Sequence, residues 1–194
     1  EAMTKPYAQA RAELVAWAGV LGDLVDERLE MRDFEGVLHS FGRNSGVDVF
    51  RVLAPHLTDA EYWPLLASVW SGVEWPSESM RSLARFLRSN RPERHLMTSP
   101  EDRETLRRLP DPIPIFRGSQ SQRPSGWSWT TDEDLAHWFA LRPARRIRFT
   151  TPPVTFAAVV SQADVIAYLD SAHRNEREIV VDPARVRAWA IRPA

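Results

Sequence analysis

Leu109-Pro110-Asp111-Pro112-Ile113-Pro114-Ile115-Phe116-Arg117-Gly118 is the stretch where the chain changes character. Its prolines cannot continue a helix, and each drives the residue before it toward extended backbone. Upstream, apolar residues recur at helical spacing, as in Leu14, Trp17, Ala18, Leu21, Val25 and Leu29, and again in Met80, Leu83, Ala84 and Leu87. Downstream the apolar runs are short and rich in β-branched and aromatic residues, which predicts strands over 113–117, 127–130, 147–150, 154–160, 165–169, 179–181 and 186–191. One helix over 133–141 interrupts them, capped by Thr131-Asp132 and carrying Leu135, Ala136, Phe139 and Ala140 on one face. The expected fold is α+β: a helical lobe over 4–109, followed over 110–194 by a small curved, mainly antiparallel sheet.

Two helix starts are legible within the lobe and at its end. Thr58-Asp59-Ala60-Glu61 has the form of a capping box for a helix over about 60–71, with Pro64 tolerable near its first turn. Ser99-Pro100-Glu101-Asp102 opens another with proline at its first position.

Bulk composition removes several classes of protein. At 194 residues, 43% hydrophobic and 26% charged, the chain is long enough to bury a core and apolar enough to fold. A net charge of −1 gives no global attraction to nucleic acid. With no cysteine, neither disulfides nor thiolate metal sites can hold it together. The five histidines, His39, His56, His95, His137 and His173, lack paired ligand spacing, so no metal is expected. Glu1-Ala2-Met3-Thr4 has no basic and apolar leader, and no apolar run reaches the roughly 20 residues of a membrane span, so a soluble, cytoplasmic protein is expected. Of the 25 basic residues all but Lys5 are arginine, a bias that GC-rich codon usage explains and that lowers the weight of any single arginine.

Three short segments in the last third carry candidate chemistry. In Ile115-Phe116-Arg117-Gly118 a strand-end arginine is either a salt-bridged surface residue or a fork for a phosphate, with the glycine admitting a ligand close to the backbone. In Trp127-Ser128-Trp129-Thr130, strand alternation sends the tryptophans one way and the hydroxyls the other. Ser128 then either merely tolerates the strand or orients a carboxylate. In Glu176-Arg177-Glu178-Ile179-Val180-Val181, alternation puts Glu176 and Glu178 on one face of an extended segment. Two like charges side by side are costly unless something positive or reactive lies between them. The bland reading is a charged loop before an edge strand; its position directly against an apolar run favours a site.

In this order the segments resemble the arginine, serine and Glu-x-Glu signature of mono-ADP-ribosyltransferases related to the cholera-type and clostridial toxins and to phage-encoded modifying enzymes. The resemblance covers about 110–194, and Ala136-His137-Trp138-Phe139-Ala140 is similar to that family's segment behind the serine strand. It implies that NAD is the co-substrate, that Arg117 holds its phosphates and nicotinamide-side ribose, that Ser128 positions the catalytic Glu178, and that Glu176 activates the acceptor. It further implies that Gly118 meets the nicotinamide amide and that Phe139 or Trp129 covers the nicotinamide ring. A carboxylate bonded to the sugar hydroxyl beside the reacting carbon gains strength as positive charge develops there.

Three departures from the family pattern stand out. Tryptophan occupies the middle of Ser128-Trp129-Thr130, only a short segment separates Arg117 from Ser128, and Ser171-Ala172-His173-Arg174-Asn175 lacks an aromatic that several protein-modifying relatives use on their target. The expected acceptor is a macromolecule, with protein arginine favoured through Glu-x-Glu. RNA or DNA stays open through the stripe of Arg81, Arg85 and Arg88, which is otherwise a solvated helix face. The expected setting is a phage protein or a bacterial toxin or defence effector, with an antitoxin or inhibitor as partner and no membrane. An NAD glycohydrolase and a catalytically silent binding module of the same fold are the alternatives.

Overall fold

The computed structural model describes residues 6–42, 45–73, 76–119, 124, 126–141, 152–170 and 175–193. The chain forms two compact units, Glu1–Met97 and Thr98–Ala194.

The first unit is helical: α1 (Tyr7–Ala18), α2 (Gly22–Glu30), α3 (Phe34–Phe41), α4 (Gly46–Leu53), α5 (Asp59–Gly72) and α6 (Pro76–Leu87). The continuous stripe read from Leu14 to Leu29 is broken in the structure, because α1 ends at Ala18 and a 3-10 turn precedes α2. Leu14, Val25 and Leu29 are buried while Trp17 and Leu21 face solvent, so a stripe that looks single belongs to two helices. Helix α5 starts where the capping box predicts, with the Glu61 carboxylate taking hydrogen bonds from Thr58 N and Oγ1, both 2.8 Å. Pro64 sits inside α5. Trp63 and Leu66 of α5 join Phe50, Leu53, Leu83 and Leu87 in full burial, the apolar anchorage that short helices need. No helix among the described residues is long and apolar enough to cross a membrane.

The second unit contains α7 (Pro100–Arg108), β1 (Ile113–Ser119), β2 (Ser128–Thr130), α8 (Glu133–Leu141), β3 (Val154–Val160), β4 (Val165–Leu169), β5 (Glu178–Val181) and β6 (Trp189–Pro193). The six strands form one sheet in the order β4-β5-β2-β1-β3-β6, and each pairing is antiparallel. The strand expected over 186–191 is shifted, since a 3-10 turn at Pro183–Arg185 delays β6 to Trp189. The one expected over 147–150 lies outside the described residues. Ile113, Ile115, Trp129, Phe156, Val160, Tyr168, Ile179 and Val181 are in one buried cluster on the sheet.

The division at Met97 and Thr98 differs from the compositional change at 109 and 110. Helix α7 looks like the lobe in composition but is built into the sheet unit. Ser99 Oγ caps it by accepting from Asp102 N, Tyr168 N donates to Thr98 Oγ1 and Asp170 N to Asp102 Oδ2, and Leu106 and Leu109 pack on the sheet's core.

Candidate active site

The three segments lie on adjoining strands, because β5, β2 and β1 are neighbours at the middle of the sheet. Among the described residues β1 pairs with β2 at a single position, Phe116 with Thr130. Beyond it the Ser128 carbonyl accepts a hydrogen bond from Arg117 Nη1, so a side chain bonds the β2 carbonyl where the recorded β1–β2 ladder ends. The guanidinium's Nε is buried and, among the described residues, has no hydrogen-bond partner. Burial pushes the Arg117 pKa below the ordinary arginine value, and the negative charge of Glu178 works against that shift. Arginine nevertheless keeps its proton in proteins, so a cation with unspent donor capacity is held in the protein near a carboxylate. That is the donor set an anionic group such as a diphosphate requires.

Room for this cation comes from Gly126, which the sequence reading passed over. A Cβ built there would lie 2.2 Å from Arg117 Cζ and 2.4 Å from its Nη2. Trp129 fixes the same glycine, its Nε1 donating to Gly126 O at 3.1 Å. The indole is buried in the sheet's core, 2% exposed. Trp129, expected as a cover for a nicotinamide ring, is instead packed in the sheet's core with its indole nitrogen on the glycine beside Arg117. Phe139, the other expected cover, is half-buried on α8 and meets exposed Trp138 edge to face, with centroids 5.1 Å apart. Gly118 has a structural reason of its own to be glycine. A Cβ there would lie 2.1 Å from Ala136 O and 2.4 Å from Ala140 N, so α8 rests directly on the β1 backbone. His137 Nδ1 adds a contact of 3.2 Å to Thr155 Oγ1 on β3.

The carboxylates are placed differently from the simple expectation. Glu178 opens β5 and is 6% exposed. Its partner across β2 is Thr130, whereas Ser128 pairs with Val180. Ser128 is thus a diagonal neighbour of Glu178 on the same face, farther away than a direct pair but within side-chain reach. Glu176 and Glu178 do not share one face of a regular strand, since Arg177 between them has φ 45° and Asn175 before them φ 49°. Left-handed backbone interrupts the alternation on which that reading rested. The departure is held by several polar contacts. Thr130 Oγ1 donates to Glu176 O at 2.8 Å, Thr131 N donates to Arg177 O at 3.2 Å, and Arg177 N donates to Asp170 Oδ1 at 3.0 Å. The Arg177 guanidinium reaches Asp132 Oδ2 at 3.5 Å.

Residues 171–174, with His173, lie outside the described residues, as do Arg123 and the arginines of 142–148. Arg81 and Arg85 are exposed on α6, and exposed Arg88 follows its end. Compared with protein-family models, with curated proteins and with solved structures, the chain matches none of them.

Proposed function

We propose that the chain is an NAD-dependent mono-ADP-ribosyltransferase that modifies a macromolecular acceptor, with protein arginine favoured. The observation that carries this reading is the meeting of the three segments on adjoining strands, with the buried Arg117, its Nε without a hydrogen-bond partner among the described residues, beside the carboxylate of Glu178. In this reading Arg117 binds the diphosphate, and Glu178 accepts a hydrogen bond from the ribose hydroxyl next to the reacting carbon. As the carbon–nitrogen bond to nicotinamide breaks, the nitrogen leaves with the electron pair and becomes neutral. The negative charge of Glu178 stabilises the positive charge that develops on the sugar. The acceptor nitrogen forms the new bond, and Glu176 takes its proton, a step typically worth about 10²–10⁴ in rate.

Incubation with labelled NAD and whole-cell lysate, followed by separate protease and nuclease digestion, tests the reading. Protease-sensitive label is expected. Nuclease-sensitive label would move the acceptor to RNA or DNA, and label found only as free ADP-ribose would make the protein a hydrolase. Glu178→Gln keeps the shape and removes the charge, so turnover should fall by at least about 10²-fold with an unchanged melting curve. A folded Glu178→Gln protein that turns over normally would end the transferase proposal.

A further inference from the structure

Glu176 and Glu178 are separated by a residue in a conformation that L-amino acids other than glycine, asparagine and aspartate avoid. Arg177 is none of these, and its φ of 45° is strained for its residue type. Its side chain is 57% exposed, and Asp132 is 3.5 Å away, a surface pair that contributes little to stability. The side chain therefore does not compensate for the backbone. The compensation lies in the contacts to the main chain: Asp170 takes the Arg177 N–H, Thr131 N–H bonds the Arg177 carbonyl, and the Thr130 hydroxyl bonds the carbonyl one residue earlier. Thr130 is itself buried and fixed a second time, its Oγ1 accepting from Asp132 N at 3.1 Å. Asp170 is held from the side by Asp102, through Asp170 N, and by the Tyr168 hydroxyl at 3.4 Å. A strained residue so over-determined by its surroundings is the pattern found where geometry is functional.

Resting on the transferase reading, we infer that Thr130, Asp170 and the left-handed Arg177 are positioning residues. They take Glu176 off the face that Glu178 occupies, so that one carboxylate serves the sugar and the other serves the incoming acceptor. Thr130 thereby has a task that the serine signature does not assign to it: it holds the first glutamate by the backbone while standing directly across from the second.

Two pairs of variants in the full-length chain test this. Thr130→Val is nearly isosteric and loses the hydroxyl, whereas Thr130→Ser keeps it. Arg177→Val is β-branched and resists positive φ, whereas Arg177→Gly adopts it freely. The ratio of acceptor modification to NAD hydrolysis should drop about 10- to 100-fold in the two valine variants, the scale of an ångström-sized misplacement. It should survive in Thr130→Ser and Arg177→Gly. Amide hydrogen exchange supplies a readout independent of activity: protection at Thr131 and Arg177 should be lost in both valine variants and kept in the other two. Equal ratios across all four, or unchanged protection in Arg177→Val, overturns the inference. Wild-type protein without any NAD turnover would sink the transferase reading, and the exchange pattern alone then decides whether the positioning device exists.

Discussion

Arg117 and Gly126 make one unit at the scale of single residues, and the consequence is testable because the atom that a new Cβ would strike is the far end of a flexible side chain. Gly126→Ala should therefore expel the guanidinium rather than unfold the protein. The stability loss is the hydrogen bond to the Ser128 carbonyl, about 1–3 kcal/mol for a charged donor. NAD affinity measured by calorimetry should weaken about tenfold or more, as it should for Arg117→Lys, which keeps the charge and loses the fork. Unweakened affinity in both variants would mean that the phosphates are held elsewhere. The arginine, the serine and the two glutamates were visible in the sequence because their chemistry resides in residue type. Gly126 was not, because its reason is a close approach by a residue that strand pairing alone does not bring near. Trp129 was legible as either core or ligand cover, and burial with its indole nitrogen on Gly126 O decides for the core.

Helix α8 illustrates the element scale, where the same substitution has the opposite character. A Cβ on Gly118 would meet backbone atoms of Ala136 and Ala140, which cannot rotate away. Gly118→Ala should thus lift α8 from β1 and cost at least the roughly 1–3 kcal/mol of core overpacking, read as a lowered melting temperature. A melting curve like that of wild type would show that the helix docks differently. Helix α5 offers a pH test. Glu61 is held at a pKa of about 2, first by its hydrogen bonds from Arg32, at 2.7 and 2.6 Å, with Thr58 adding to the effect. A folded-state value below the ordinary 4.5 means that the contribution is fully present above pH 4.5 and is lost as the pH falls toward 2. Glu61→Gln should flatten the melting temperature across that window relative to wild type, and parallel curves for the two proteins would refute the assignment. Capping boxes, proline starts and strand runs were readable because they are local. The Leu14-to-Leu29 stripe and the regular strand through Glu176 misled, since a helix break and a left-handed residue leave the apolar and charged spacing untouched.

For the molecule as a whole, the compositional border and the structural border are different places. The sheet unit includes α7 and the Thr98 that precedes it, and Thr98 and Asp102 bond the β4 backbone and the residue after it. A fragment starting at Thr98 should melt cooperatively and bind NAD, whereas one starting at Pro110 should lose cooperativity, because it removes those bonds and exposes the surface under Leu106 and Leu109. Equal melting of the two fragments would return the border to the proline-rich stretch. Sequence alone could not locate it, since α7 has the composition of the lobe and its partners lie far downstream. The strand order also carries a consequence in time. Strand β2 finds β1 close by in the chain but β5 only after β3 and β4 have intervened, and distant pairings form late. On a ribosome the arginine and serine strands are delivered well before the carboxylates. A growing chain therefore passes through a stage in which Arg117 is present and Glu176 and Glu178 are not, and under the proposed transferase reading transfer waits until β5 arrives.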